Sequence, residues 1–221
     1  MKKTMAFLLS CVLMGGMAAC QAAPENGASM PQDSAAASQK DESSQPLPAS
    51  QEEQDTPESA HHILVAYFSA THTTEQVAKR LAQGMGADLY EIVPEEPYTE
   101  EDLDYSDTGS RTSIEQNDPQ ARPAIAGEVW PLDSYDVVFV GYPIWWGEAP
   151  KILATFLERY EWTGKTVIPF CTSGSSGIAG SVETLQPLAE GATWLEGRRW
   201  EKNATGEELL AWVEELGVLN G

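Results

Sequence analysis

Three short stretches of this sequence are almost continuously apolar: ILVAYF (Ile63–Phe68), DVVFVGY (Asp136–Tyr142) and the centre of KTVIPFCTS (Lys165–Ser173). A strand with one wet face alternates apolar and polar side chains, so unbroken runs of this length read as strands covered on both faces. Each run leads through a loop into a helical pattern: from about Thr74 to Gln83, from about Pro150 to Tyr160, and within GSSGIAGSVETLQPLAE. Two weaker strands complete the set. DLYEIV (Asp88–Val93) alternates and belongs nearer an edge, and ATWLEG (Ala192–Gly197) is a short fifth strand. A closing amphipathic helix follows an N-cap at Thr205, with acidic residues in its first turn where they suit the helix dipole. Strands that alternate with helices and are apolar on both faces define an α/β three-layer sandwich, a five-stranded parallel sheet with helices on both sides. The order 2-1-3-4-5 fits, and in it ligands sit at the carboxyl ends of the strands, at the switch point between strands one and three.

The chain has 221 residues, more than this layout needs. Its first twenty, MKKTMAFLLSCVLMGGMAAC, combine a cationic start, an apolar stretch from Met5 to Met17 and small residues before Cys20, the layout of an export signal. The apolar stretch is shorter than the roughly 20 residues that span a bilayer. MAAC resembles a bacterial lipobox, which implies lipidation at Cys20 and stable anchoring by the acyl chains, the chain meeting the membrane through that lipid only. Residues 21–60 are rich in Ser, Gln, Pro, Ala and acidic side chains, too poor in large apolar groups to offset ordering entropy, and read as a tether. The domain is then residues 61–221, on the outer side of the cytoplasmic membrane, in the cell envelope.

Acidic residues number 34 against 13 Lys plus Arg, a formal charge of −21. Such a surface repels nucleic acid and anionic lipid. Of three cysteines, Cys11 leaves with the signal and Cys20 is lipidated, so Cys171, at the end of an apolar run, is a buried structural thiol. The histidines, His61, His62 and His72, lack carboxylates or cysteines at zinc-ligand spacing, so no metal site is expected. The NAT at Asn203 is a chance sequon behind a bacterial-type signal. Arg111 and Glu115 are spaced for a helical ion pair.

Chemistry concentrates in the loops after strands one, three and four. The first, SATHTT, places Ser69, Ala70, Thr71, His72, Thr73 and Thr74 between a buried strand and a helix N-terminus. Unpaired N–H groups, the positive end of the dipole and neutral hydroxyls suit a phosphate monoester, although a Ser/Thr turn that caps the helix has the same composition. The second carries Pro143, Ile144, Trp145, Trp146 and Gly147. Two consecutive tryptophans in one loop cannot face the same core, so one is expected to offer a flat surface to a flat aromatic ligand. The third, with Thr172, Ser173, Gly174 and Gly177, is rich in backbone donors for the polar edge of a ring system. Between Val93 and Asp136 lies a long stretch with no clear period, functional or locally helical, in which Tyr98 and Tyr105 either close over a ligand or pack the insertion down.

Together the three loops resemble those of the flavodoxin family, over essentially all of residues 61–221. SATHTT is similar to the family's S/T-x-T-G-x-T phosphate loop, with His72 where that pattern has glycine. GYPIWWGEAP and CTSGSSG look like its flavin-ring loops. The resemblance implies a flavodoxin-like fold and noncovalent FMN. It implies that Ser69, Thr71, Thr73 and Thr74 hold the phosphate, that Trp145 or Trp146 covers one face of the ring, and that Thr172, Ser173 and Gly174 approach its edge. His72 raises the question of whether the backbone there adopts a positive φ.

The implied activity is electron transfer, with a redox partner protein or a membrane quinone at the other end. Two alternatives stand beside it: an FMN-dependent oxidoreductase passing electrons from NAD(P)H to a quinone or similar acceptor, and a cofactor-free binding module on the same fold. An acidic surround disfavours added negative charge on a flavin, so a low potential is expected for its second reduction step.

Overall fold

The computed structural model describes residues 61–127 and 130–219; the export segment, Cys20 and the 21–60 tether lie outside them. The elements run β1 (Ile63–Tyr67), α1 (Thr73–Met85), β2 (Asp88–Glu91), α2 (Arg111–Asn117), β3 (Val137–Pro143), α3 (Ile152–Glu158), β4 (Thr166–Thr172), α4 (Ala179–Leu185), β5 (Thr193–Trp194), β6 (Arg198–Trp200) and α5 (Gly206–Leu216). All strand pairings are parallel and the order is β2-β1-β3-β4-β5, with β6 also paired to β4. The expected α/β sandwich is the fold of the domain.

Alternate residues of the central strands feed two cores. Leu64, Ala66, Val138, Val140 and Tyr142 pack with Ile152, Phe156 and Leu185 on one face of the sheet. Val65, Tyr67, Val137 and Phe139 pack with Val77, Leu81, Leu209 and Trp212 on the other. This two-sided burial is why the strands read as unbroken apolar runs. Cys171 is free and fully buried, and desolvation pushes its thiol up to about 12, so it carries no thiolate at neutral pH. At α5, Thr205 is the N-cap: its Oγ1 accepts from the Glu208 N–H at 3.2 Å, and the Glu208 carboxylate accepts from the Thr205 N–H at 2.8 Å.

The far edge differs from the single fifth strand expected at Ala192–Gly197. Two short pieces occupy it, β5 beside Thr166 and Val167 and β6 beside Phe170 to Thr172. The carbonyls of Lys165 and Val167 accept from the N–H groups of Thr193 and Leu195, which places Pro169, two residues on, toward the same edge. Proline has no N–H to continue the ladder. Gly197 fits against it only as glycine, since an added Cβ would lie 2.6 Å from both the carbonyl oxygen and Cγ of Pro169. The edge strand therefore breaks there and resumes at Arg198.

The insertion between β2 and β3 is locally helical. Its helix α2 opens at an N-cap, Ser110, and carries the Arg111–Glu115 ion pair at 2.7 Å. Tyr98 lies beneath the Arg111 guanidinium, 4.1 Å from ring centroid to Cζ, and donates to Glu115 Oε2 at 2.6 Å.

Candidate functional site

A cavity of about 630 Å³ opens at the carboxyl ends of β1, β3 and β4. That volume lies within the roughly 300–1,000 Å³ typical of small-molecule sites. The first loop contributes Thr71 and Thr73, whose Oγ1 atoms are 3.5 Å apart. Both stand at the start of the thirteen-residue α1, where the first N–H groups have no intrahelical acceptor and the dipole is positive. Between them His72 takes φ 59° and ψ 9°, so the left-handed conformation is adopted by a histidine where the family pattern has glycine. Histidine is among the residues enriched at such angles, and here the imidazole points outward: its side chain is 78% exposed and Nδ1 lies 2.6 Å from Glu75 Oε2. Glu75 is held below the usual carboxylate range by hydrogen bonds from Lys79 and then His72.

Thr74 does not line the cavity. It is fully buried, with its Oγ1 2.8 Å from Thr172 Oγ1, so this hydroxyl joins the first loop to the end of β4. Ser69, Ala70 and His72 also stand outside the cavity lining, in the same loop.

Pro143, Ile144 and Trp145 line the cavity from β3 onward. The two tryptophans are divided by a tight turn. Trp145 and Glu148 exchange backbone hydrogen bonds of 2.8 and 2.9 Å, and both central residues have positive φ, 49° at Trp146 and 86° at Gly147. That is the signature of a type I′ turn, which normally recruits Asn-Gly. Trp145 is 4% exposed and packs edge-on against Phe68 and Tyr98, with centroids 5.5 and 5.3 Å away. Trp146 is 44% exposed, stands outside the lining, and meets Tyr105 at 4.4 Å. Tyr105 does line the cavity, and Tyr98 packs the insertion down, so the two tyrosines take different parts.

From β4 come Thr172, Ser173 and Gly174. Ser173 Oγ accepts from the N–H groups of Ser176 at 2.9 Å and Ser175 at 3.3 Å, and the Ser173 carbonyl accepts from Arg199 Nη1 at 2.9 Å. The loop is thereby held at its root. Gly177 is exposed and lies beyond the cavity.

The rest of the lining comes from Leu103 in the insertion, from Trp200 at the end of β6, and from Glu201, Lys202 and Asn203 after it. Sequence reading missed this last wall because β6 is three residues long and its pairing with β4 is nonlocal. The aromatic Trp200 after a pair of arginines was the available signal. His61 and His62 sit before β1, at the opposite end of the sheet, where His62 Nδ1 lies 2.9 Å from the Ser134 carbonyl. Among the described residues no group of three His, Cys, Asp or Glu side chains could hold a metal ion.

A parallel sheet of this order, with a hydroxyl loop at its first helix and a tryptophan loop on its third strand around one cavity, defines a flavodoxin-like α/β protein. The chain belongs to the flavodoxin family, whose model matches residues 62–216. Among solved structures it is similar to a provisionally assigned flavoprotein from Bacteroides eggerthii, 46% identical over 71% of this chain and 98% of that one, with a TM-score of 0.68. A second, from Bacteroides uniformis, is 43% identical over 71% and 99%, with a TM-score of 0.67. A flavoprotein from Lactobacillus acidophilus, solved in complex with FMN, shares the fold at 21% identity, 70% and 99% coverage and a TM-score of 0.54. No curated protein matches the chain.

Proposed function

We propose that this chain binds FMN noncovalently in the cavity at the switch point and carries electrons at the cell envelope, held there by a lipid on Cys20. One observation carries the flavin reading: a single cavity combines hydroxyls at a helix N-terminus with an apolar, aromatic wall and a donor-rich loop. A flavin phosphate has those three needs together. Thr71 and Thr73 would hold the phosphate, Ile144, Trp145 and Tyr105 would flank the ring, and Ser173 and Gly174 would meet its polar edge. The family and the FMN of the Lactobacillus acidophilus protein support the same choice.

When bound, FMN supplies the redox chemistry, and the protein sets its potential through packing, hydrogen bonds and charge. The chain's own part is to exclude water from one side of the ring and to present the other side to a partner. An anchor outside the cytosol would separate the domain from pyridine nucleotide, which favours a redox partner protein or a membrane quinone as its electron-transfer partner. The chain's negative charge makes the second reduction step unfavourable, and a spectroelectrochemical titration should place it below free FMN.

The test is a visible spectrum of the purified protein before and after incubation with FMN. Bound flavin bands with a resolved shoulder are expected, and a protein that stays colourless after incubation is a cofactor-free binding module. Anaerobic NADPH separates the remaining pair: slow bleaching is the carrier's result, whereas rapid bleaching establishes a reductase.

A further inference from the structure

Five of the ten Lys and Arg side chains of this acidic domain have carboxylate partners among the described residues. Lys79 pairs with Glu75, Arg111 with Glu115, Arg122 with Glu158, Arg198 with Glu215 and Arg199 with Glu201. Lys202 forms no ion pair among the described residues, although it lines the cavity. Its acidic neighbour in the lining, Glu201, is neutralised by Arg199 Nη1 at 2.8 Å. The uncompensated charge in the cavity wall is therefore positive, in a chain whose formal charge is −21.

The backbone of this wall is fastened on both sides. Arg80 of α1 donates through Nη2 to the Lys202 carbonyl at 2.6 Å, and Arg199 ties β6 to the Ser173 carbonyl at 2.9 Å. The segment that carries Lys202 is thus bound to the helix whose N-terminus presents Thr71 and Thr73. Neither arginine uses the Lys202 side chain, which is exposed and free of both contacts.

We infer that Lys202 is a specificity determinant of this site, the cation that makes the cavity select a flavin bearing a phosphate over one without it. The inference rests on the flavin reading above. A flavin phosphate placed between neutral hydroxyls gains from them whether singly or doubly charged, whereas an ammonium favours the more charged form and adds a salt-dependent attraction.

The experiment compares FMN with riboflavin, which lacks only the phosphate, by quenching of flavin fluorescence on titration with flavin-free protein. Lys202→Gln should weaken FMN up to about fivefold, as for an exposed charge pair. Riboflavin affinity should stay unchanged, and Lys202→Arg should restore FMN binding to within about twofold. Raising the salt should weaken FMN binding to the wild type and change it little in Lys202→Gln. Equal losses for FMN and riboflavin would assign Lys202 a role in loop packing and overturn the inference, as would undiminished FMN binding. A wild-type protein that binds neither flavin overturns the flavin reading, and this inference with it.

Discussion

Thr74 and Thr172 share a hydrogen bond of 2.8 Å between their hydroxyl oxygens, buried at the junction of the first helix and the fourth strand, 98 residues apart in sequence. It fixes the separation of two of the loops that build the cavity. In such a buried pair, removing one partner leaves the other unsatisfied, and that costs more than losing both. Thr74→Val should destabilise the domain by about 1–3 kcal/mol. Adding Thr172→Val should recover part of the loss, and urea unfolding of both singles and the double variant measures the coupling.

The two tryptophans should separate stability from surface function. Trp145 is packed among Phe68 and Tyr98, so Trp145→Ala should cost about 3–5 kcal/mol in urea unfolding. Trp146 touches Tyr105 at the surface from a strained backbone position, so Trp146→Ala should change stability by less than about 1 kcal/mol. A large loss at Trp146 would contradict the division of roles made by the turn.

His72 holds a left-handed conformation with no side-chain cap. Asparagine tolerates that region and a β-branched residue does not. His72→Val should unfold at lower urea than His72→Asn, by about 1–2 kcal/mol. His72→Gly bears on the ligand: tighter FMN binding would reveal strain at this position, and weaker binding a contribution from the imidazole.

The capping box of α5 carries a pH dependence of known sign. Hydrogen bonds from the Thr205 N–H and hydroxyl hold Glu208 below its ordinary value of 4.5 in the folded state. A depressed folded value means that the contribution is complete above the unfolded value and is lost as pH falls through the folded one. Glu208→Gln should therefore be less stable than wild type at pH 7, and the gap should close in acid. Unfolding free energies measured across that range check the sign.

Much of this architecture was legible from local spacing. Continuous apolar runs at Ile63–Phe68 and, following Asp136, from Val137 to Tyr142 announce strands buried on both faces, because burial imposes hydrophobicity on successive residues. The N-cap at Thr205 and the ion pair of Arg111 with Glu115 are contacts between near neighbours in sequence, which local pattern captures. The hydroxyls of Thr71 and Thr73 are likewise marked by their place between strand and helix.

What spacing left open needed the third dimension. Which tryptophan is buried depends on a two-residue turn with positive φ at Trp146 and Gly147, a conformation that composition does not announce when the first residue is not Asn or Asp. Thr74 turns inward because its partner is Thr172, and the edge strand breaks because Pro169 meets Gly197 across the sheet. Trp200 to Asn203 reach the cavity only because β6 resumes beside β4. Sequence by itself determined the layers and the end of the sheet at which a ligand belongs, since periodicity records burial. Tertiary structure decided which side chains form the walls, since those depend on residues brought together from distant parts of the chain.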